Sequence, residues 1–243
     1  MKTKLLIVLS LVICHLTFSP AAAQTLFISG SAVPGGVQQL TATPDGGFKY
    51  AGTLLAGELR LQTTKKAGRD TRYLVPLLKD ACIVNKGLGY KETTDATAAA
   101  WQVPVGEDHY RFTVNPHVRV LRGEIVVPWG ELFIAGGATE VGWKCEGKML
   151  LMKQSLDNPY VWTWEGELKR HPEVEEPASF KFQGQDRWHP KALHPYRQDA
   201  DILTDGMLRT GGDDTKWTLT KDGRYRITVD IFKETIKAEY INN

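Results

Sequence analysis

Very few residues of this chain are typed and spaced for covalent or metal chemistry. Of its six histidines, all but His15 fall after the first two dozen residues. His189 and His194 share a Pro-rich stretch, but a spacing of five does not put two imidazoles on one helical face as a zinc pair requires. No cysteine pair has metal-ligand spacing. Glu173, Glu175 and Glu176 bring carboxylates together, as acid–base hydrolysis of a glycoside needs. They lie in a polar, Pro-flanked run that reads as a solvated loop. Ser29-Gly30-Ser31-Ala32-Val33-Pro34-Gly35-Gly36 is glycine-rich, but no helical pattern follows it to complete a phosphate cradle. Nucleophile-elbow and dinucleotide-binding patterns are absent. These residues predict no catalytic centre, no metal and no cofactor.

The aromatic residues are more informative. The seven tryptophans are distributed over two copies of one pattern. Leu26-Phe27-Ile28-Ser29-Gly30-Ser31-Ala32 returns, shifted by 106 residues, as Leu132-Phe133-Ile134-Ala135-Gly136-Gly137-Ala138. In the same order, Phe48–Leu54 matches Trp162–Leu168, Glu58–Leu61 matches Ser179–Phe182, Trp101–Val103 matches Trp217–Leu219, and Tyr110–Asn115 matches Tyr225–Asp230. A position aromatic in both copies serves the fold first. Trp101/Trp217, Phe48/Trp162, Tyr50/Trp164 and Tyr110/Tyr225 are therefore assigned to core packing. Trp143 differs, because its counterpart is Val37. Trp188 lies in a polar loop beside Arg187, and its nearest counterpart is Tyr73. A large aromatic in such a loop is a candidate contact surface. An indole face can lie against the C–H face of a sugar ring while nearby basic and acidic groups bond the hydroxyls. It can also stack a nucleobase, but that normally requires a basic groove for the phosphates. Lys181 alternates with Phe180 and Phe182, so it points away from whatever they pack against. Arg60 occupies the same place in the first copy, which suggests a shared polar face.

The elements that must carry these residues read as all-β. Phe180-Lys181-Phe182, Trp162-Thr163-Trp164 and Tyr225–Val229 alternate with period two. Asp45-Gly46-Gly47 and Lys221-Asp222-Gly223 are hairpin-turn signals. Short strands punctuated by Gly, Pro and Asp predict two tandem immunoglobulin-like β-sandwich modules related by internal duplication. Residues 24–128 form the first and 129–243 the second, the main binding candidate, with Pro128-Trp129-Gly130 at the junction. Arg187–Thr210 shows little periodicity and reads as a long loop.

Length and charge narrow the function further. The chain has 243 residues, 42% apolar and 24% charged, with net charge +2. That is too apolar for a disordered chain and too neutral for a dedicated nucleic-acid binder. Residues 1–23 read as a secretory signal peptide: Lys2 and Lys4, a short apolar run, then Ala21-Ala22-Ala23. Ile13 stands where a lipoprotein signal needs a small residue, which argues against a lipid anchor on Cys14. The predicted location is therefore outside the cytoplasm: the cell surface and outer membrane, or the periplasm. No later segment is apolar for long enough to form a transmembrane helix. Cys82 and Cys145 could pair in such a compartment, but they read first as two small buried hydrophobes.

Leu132-Phe133-Ile134-Ala135-Gly136-Gly137-Ala138-Thr139-Glu140-Val141-Gly142-Trp143 resembles the opening strand and loop of SusE/SusF-like proteins, the tandem starch-binding outer-membrane proteins of Bacteroidetes. Trp162–Leu168, Phe180–Phe182, Arg187–Pro190, Asp214–Leu219 and Gly223–Asp230 continue that family's order. The resemblance implies a non-catalytic module in which two aromatics form a curved platform for an α-glucan and a basic residue donates hydrogen bonds. By position it implies Trp143 and Trp188 as the platform, Lys181 as the donor and Asp214 as a further polar contact. In the first copy it implies Arg60 and Tyr73, while Val37 departs from the Gly-Trp pattern. The implied partners are a polysaccharide or oligosaccharide and other outer-membrane glycan-uptake proteins. A second class of function uses the same exposed aromatics to dock an envelope protein.

Overall fold

The computed structural model describes residues 25–170, 178–188 and 190–241. The leader, Cys14, the carboxylates Glu173, Glu175 and Glu176, and His171 and His189 lie outside the described residues. The described chain is all-β, built almost entirely from antiparallel pairs. Among the described residues no helix is long and apolar enough to cross a membrane.

Buried apolar side chains divide into two main clusters. One draws on residues from Leu26 to Leu121 and the other on residues from Val126 to Ile236. In the second half two sheets face each other. One contains Phe133–Ala135, Ser179–Gln183, Ala192–Pro195, Leu208–Thr210 and Trp217–Thr218. The other contains Lys153–Gln154, Val161–Leu168, Gly223–Asp230 and Thr235–Tyr240. The first half has the same pairs, but its long strand Asn85–Thr93 bridges the two layers. That strand pairs with Tyr73–Pro76 through one end and with Val120–Ile125 through the other.

Register repeats between the halves. Ser29 pairs with Arg60 as Ala135 pairs with Lys181. Leu59 faces Trp101 as Phe180 faces Trp217. Tyr50 pairs with Phe112 as Trp164 pairs with Ile227. Trp101 and Trp217 are fully buried, and burying an aromatic of that size supplies much of each core's cohesion. Tyr110 and Tyr225 make the same corner: each hydroxyl donates to a carbonyl shortly upstream, Val105 O at 2.6 Å and Lys221 O at 2.5 Å. This tie across the connection between sheets is a hallmark of immunoglobulin-like sandwiches.

Three sequence expectations need correction. Arg187–Thr210 is not one long loop. It contains Ala192–Pro195, Ala200–Asp201 and Leu208–Thr210, and the first of these is buried at every residue, so it leaves no polar–apolar alternation to read. Lys221-Asp222-Gly223 does not close a hairpin with the strand before it, because Trp217–Thr218 pairs with Ser179–Gln183 in the opposite sheet. Cys82 and Cys145 are free and only partly buried.

The halves meet at a buried polar junction. Glu234 and Lys49 are each 4% exposed. The Lys49 ammonium reaches Glu234 Oε2 at 3.3 Å and donates to the Glu234 carbonyl at 3.1 Å. Arg111 reaches Glu234 Oε1 at 3.2 Å and donates to Ile231 O at 2.5 Å. The Thr210 amide donates to Glu234 Oε1 at 2.8 Å. Burial pushes the Lys49 amine below its ordinary range, and the Glu234 carboxylate partly offsets that shift. Beside this ion cluster, His109, Tyr160 and Phe232 pack with ring centres 5.0–5.2 Å apart, His109 edge-on to Phe232. A charge this deeply buried is tolerated only with its partners in place.

Candidate carbohydrate-binding site

The strand Ser179–Gln183 carries Lys181 on the face opposite the core, where Phe180 and Phe182 pack on Trp217. Lys181 is nevertheless only 4% exposed. It is enclosed by three loops that converge on it.

The first loop follows the strand Phe133–Ala135. Its turn is tied by Gly136 N donating to Gly142 O at 3.1 Å and Gly142 N donating to Thr139 O at 3.1 Å. Gly142 has φ 63°, a left-handed conformation that favours glycine, and it delivers Trp143. The second loop runs from Gly184 to Lys191, closed by Gly184 N donating to Lys191 O at 2.9 Å and by the Gln185 side chain bonding both Arg187 O and Lys191. It delivers Trp188. Asp186 of this loop accepts from the amides of Glu146 and Gly147, so the two tryptophan loops are fastened to each other. The third loop, before Trp217–Thr218, delivers Asp214 and Lys216.

The Trp143 and Trp188 ring centres lie 6.1 Å apart with planes at 49°. The Lys181 Nζ lies 5.1 Å from the Trp188 ring centre and 6.0 Å from that of Trp143, and it donates to Asp214 Oδ1 at 2.6 Å. Lys216 Nζ lies 5.5 Å from the Trp143 ring centre and 3.3 Å from Asp214 Oδ2. Ammonium groups near indole faces are held by cation–π attraction. Burial pushes the Asp214 carboxyl upward, but the hydrogen bonds and charges of Lys181 and Lys216 outweigh it and hold the group below the usual carboxylate range. Beneath Asp214, His194 Nδ1 contacts Thr215 O at 3.0 Å, and Thr215 Oγ1 donates to Pro195 O at 2.6 Å. Burial, with the nearby Lys181 charge, pushes His194 below the ordinary histidine range, against the pull of its bond to Thr215. The imidazole props the loop through its contact with Thr215. Among the described residues no cluster of His, Cys, Asp and Glu could hold a metal ion.

The structure therefore brings Trp143, Lys181, Trp188 and Asp214 to one place. Lys216 joins them and was missed. Its only signal in the sequence is its position two residues after Asp214, which cannot show which side chain it faces. The first half does not assemble the equivalent. Val37 sits on the same turn as Trp143, with Gly36 N donating to Val33 O at 3.3 Å. Arg60 occupies the Lys181 register, but its guanidinium donates to Ala96 O at 3.0 Å and Ala98 O at 2.7 Å. Tyr73 is misplaced by the sequence comparison. It lies in the strand Tyr73–Pro76, is 5% exposed, and pairs with Gln62 as Ala192 pairs with Gln183. Its structural counterpart is Ala192, not Trp188.

The solved structures that are similar include SusF from Bacteroides thetaiotaomicron. Its crystal structure matches with a TM-score of 0.39 and 11% identity, over 90% of this chain and 49% of that one. The chain thus spans about half the length of that structure. No protein-family model and no curated protein sequence matches the chain.

Proposed function

We propose that this chain binds an oligosaccharide segment of a polysaccharide, an α-glucan in the first instance, and performs no chemistry on it. The observation that carries this reading is the pair of indoles 6.1 Å apart, inclined at 49° about one buried ammonium. Two flat apolar faces set at an angle suit a curved chain of sugar rings better than a planar ligand. Lys181 and Lys216 supply donors and Asp214 an acceptor at the seam, so hydroxyls at the edge of a stacked ring find partners of both kinds. The tie between the two tryptophan loops keeps this surface in shape before any ligand arrives, which lowers the ordering cost of binding.

Stacking contributes on the order of 1–3 kcal/mol per ring by analogy with bases, so a two-ring site binds in roughly the micromolar to millimolar range. Export to the cell envelope, through the leader at residues 1–23, fits a ligand met outside the cytoplasm. The two β-sandwich modules, 24–128 and 129–243, are read as products of a duplication in which the second copy alone carries a complete platform.

Tryptophan fluorescence of the mature protein titrated with maltoheptaose tests the reading, with a β-linked oligosaccharide as control. The expected result is a saturable change with the α-glucan alone, shifted to much higher sugar concentration in Trp143→Ala. No change with either sugar would remove α-glucan as the ligand.

A further inference from the structure

A second region, lined by residues of both halves, does not include the two tryptophans. It is a cleft of about 880 Å³ above the junction ion cluster. Its floor is Arg111 and Glu234, already engaged with each other and with Glu124, Ile231 and Thr210. Its two walls each carry a guanidinium seated on a glycine. In the first half Arg122 lies over Gly87 (φ +135°), where an added Cβ would stand 3.2 Å from Arg122 Nε. In the second half Arg209 lies over Gly212 (φ +86°), where an added Cβ would stand 3.1 Å from the guanidinium carbon. Each glycine leaves room for the cation to lie flat against the backbone.

The charge of this cleft is not balanced by its own walls. Among the described ion pairs, Arg122 and Lys86 have no acidic partner. Arg209 has only the exposed Asp213, at 3.6 Å. The Arg209 Nε is buried with no hydrogen-bond partner, and the guanidinium carbon sits 5.7 Å from the Tyr196 ring centre. Asp45 accepts hydrogen bonds from Thr43 and Gly47, which leave its charge in place, and Glu124 pairs with Arg111. The lining thus holds four cations, Lys86, Arg111, Arg122 and Arg209, against three carboxylates, Asp45, Glu124 and Glu234, beside an aromatic ring and the exposed Thr113 and Thr210.

We propose that this inter-module cleft is a second binding site, for an acidic oligosaccharide whose sugar carboxylates are held by Arg122 and Arg209. Guanidinium groups pair with carboxylates in a planar, two-bond geometry, and the neighbouring hydroxyls match the uncharged part of a uronate ring. A neutral glucan lacks the group the two arginines would bind. The site uses neither tryptophan and stands whether or not their platform binds α-glucan.

Isothermal titration calorimetry with tetragalacturonate tests it. Saturable binding that weakens with added salt, and weakens at least tenfold in Arg122→Gln and again in Arg209→Gln, is expected. Trp143→Ala should leave it unchanged, which separates this site from the platform. Circular dichroism of both arginine variants should match the parent, since both side chains are at the cleft wall. Failure to bind tetragalacturonate, equal binding of maltotetraose, or retention of full affinity in the double arginine variant would overturn the proposal. So would sulfate or oligoglutamate binding as tightly, which would mark a general anion site.

Discussion

The same four-residue hairpin loop is built twice, and the two copies meet different fates. In the first half Asn115 Oδ1 accepts from the amides of His117 and Val118, and Arg119 then takes φ 52°. In the second half Asp230 Oδ1 accepts from Phe232 and Lys233, and Glu234 takes φ 51°. Backbone and side-chain turn are alike. Arg119 ends up exposed in solvent, whereas Glu234 is inserted between the halves and gathers Lys49 and Arg111. The proposed binding face diverges in the same way. One turn delivers Val37 or Trp143, and one strand position delivers an arginine whose donors are consumed by Ala96 and Ala98, or a lysine framed by two indoles. Scaffold hydrogen bonds repeat, while the residue at the tip decides what the scaffold does.

Breaking that contrast at the junction should have the largest effect. Glu234→Ala leaves Lys49 and Arg111 buried without their carboxylate, and removing one partner of a buried pair costs about 3–5 kcal/mol. Scanning calorimetry should show a single transition in the parent, and a lower, split one in the variant as the halves uncouple. Arg119→Ala, at the matching position of the exposed loop, should change the midpoint by less than about 0.5 kcal/mol equivalent, as an exposed surface change does.

The two core tryptophans sharpen the comparison at smaller scale. Trp101 Nε1 donates to Leu74 O at 3.1 Å, whereas Trp217 Nε1 is buried without a partner. Replacing Trp101 by Phe removes that hydrogen bond, at about 0.5–1.5 kcal/mol beyond the packing change. Trp217→Phe removes an orphan donor together with the ring volume. Urea denaturation should therefore find Trp101→Phe the more destabilising of the pair. An equal cost would mean that the Leu74 carbonyl finds another donor.

Next comes the platform. Trp143→Ala should weaken α-glucan binding about 5- to 150-fold, the equivalent of one stacked ring, with the thermal midpoint held. The reciprocal change, Val37→Trp, puts an indole on the matching turn of the first half. No second site should appear in a maltoheptaose titration, because Arg60 is already spent on backbone carbonyls and no second indole faces it. A new site of comparable affinity would show that the turn alone suffices.

Much of this contrast was legible in the residues. The shift from Leu26 to Leu132 correctly put Val37 and Trp143 on one turn, because that turn is local and glycine-defined. The alternation around Lys181 correctly turned it away from Phe180 and Phe182. Tyr73 went wrong because Trp188 and Tyr73 were matched by aromatic type across loops of unequal length, where only strand pairing gives the equivalence. Ala192–Pro195 went unread because a strand buried on both faces has no alternation. The partnership of Glu234 with Lys49 and Arg111 could not be read at all, since it joins Glu234 through packing alone to residues 185 and, as 234 − 111, 123 positions earlier.

The smallest expected effect concerns His194, for which the first half has no counterpart: Val75 stands at the matching register. In the folded chain His194 is held below its ordinary pKa, chiefly by burial. The unfolded chain regains an ordinary value near 6.5. Between those two values the unfolded state binds more protons, so stability must fall as pH drops below about 6.5 and level off below the folded value. Urea midpoints measured between pH 8 and pH 5 should show that decline. His194→Val, which mimics the first half, should flatten it at the expense of the Thr215 contact. Because His194 supports the loop carrying Asp214, glucan affinity in the parent should weaken over the same interval if the prop is needed. If affinity instead holds constant down to about pH 4, the two loops tied through Asp186 position the platform without help from the histidine.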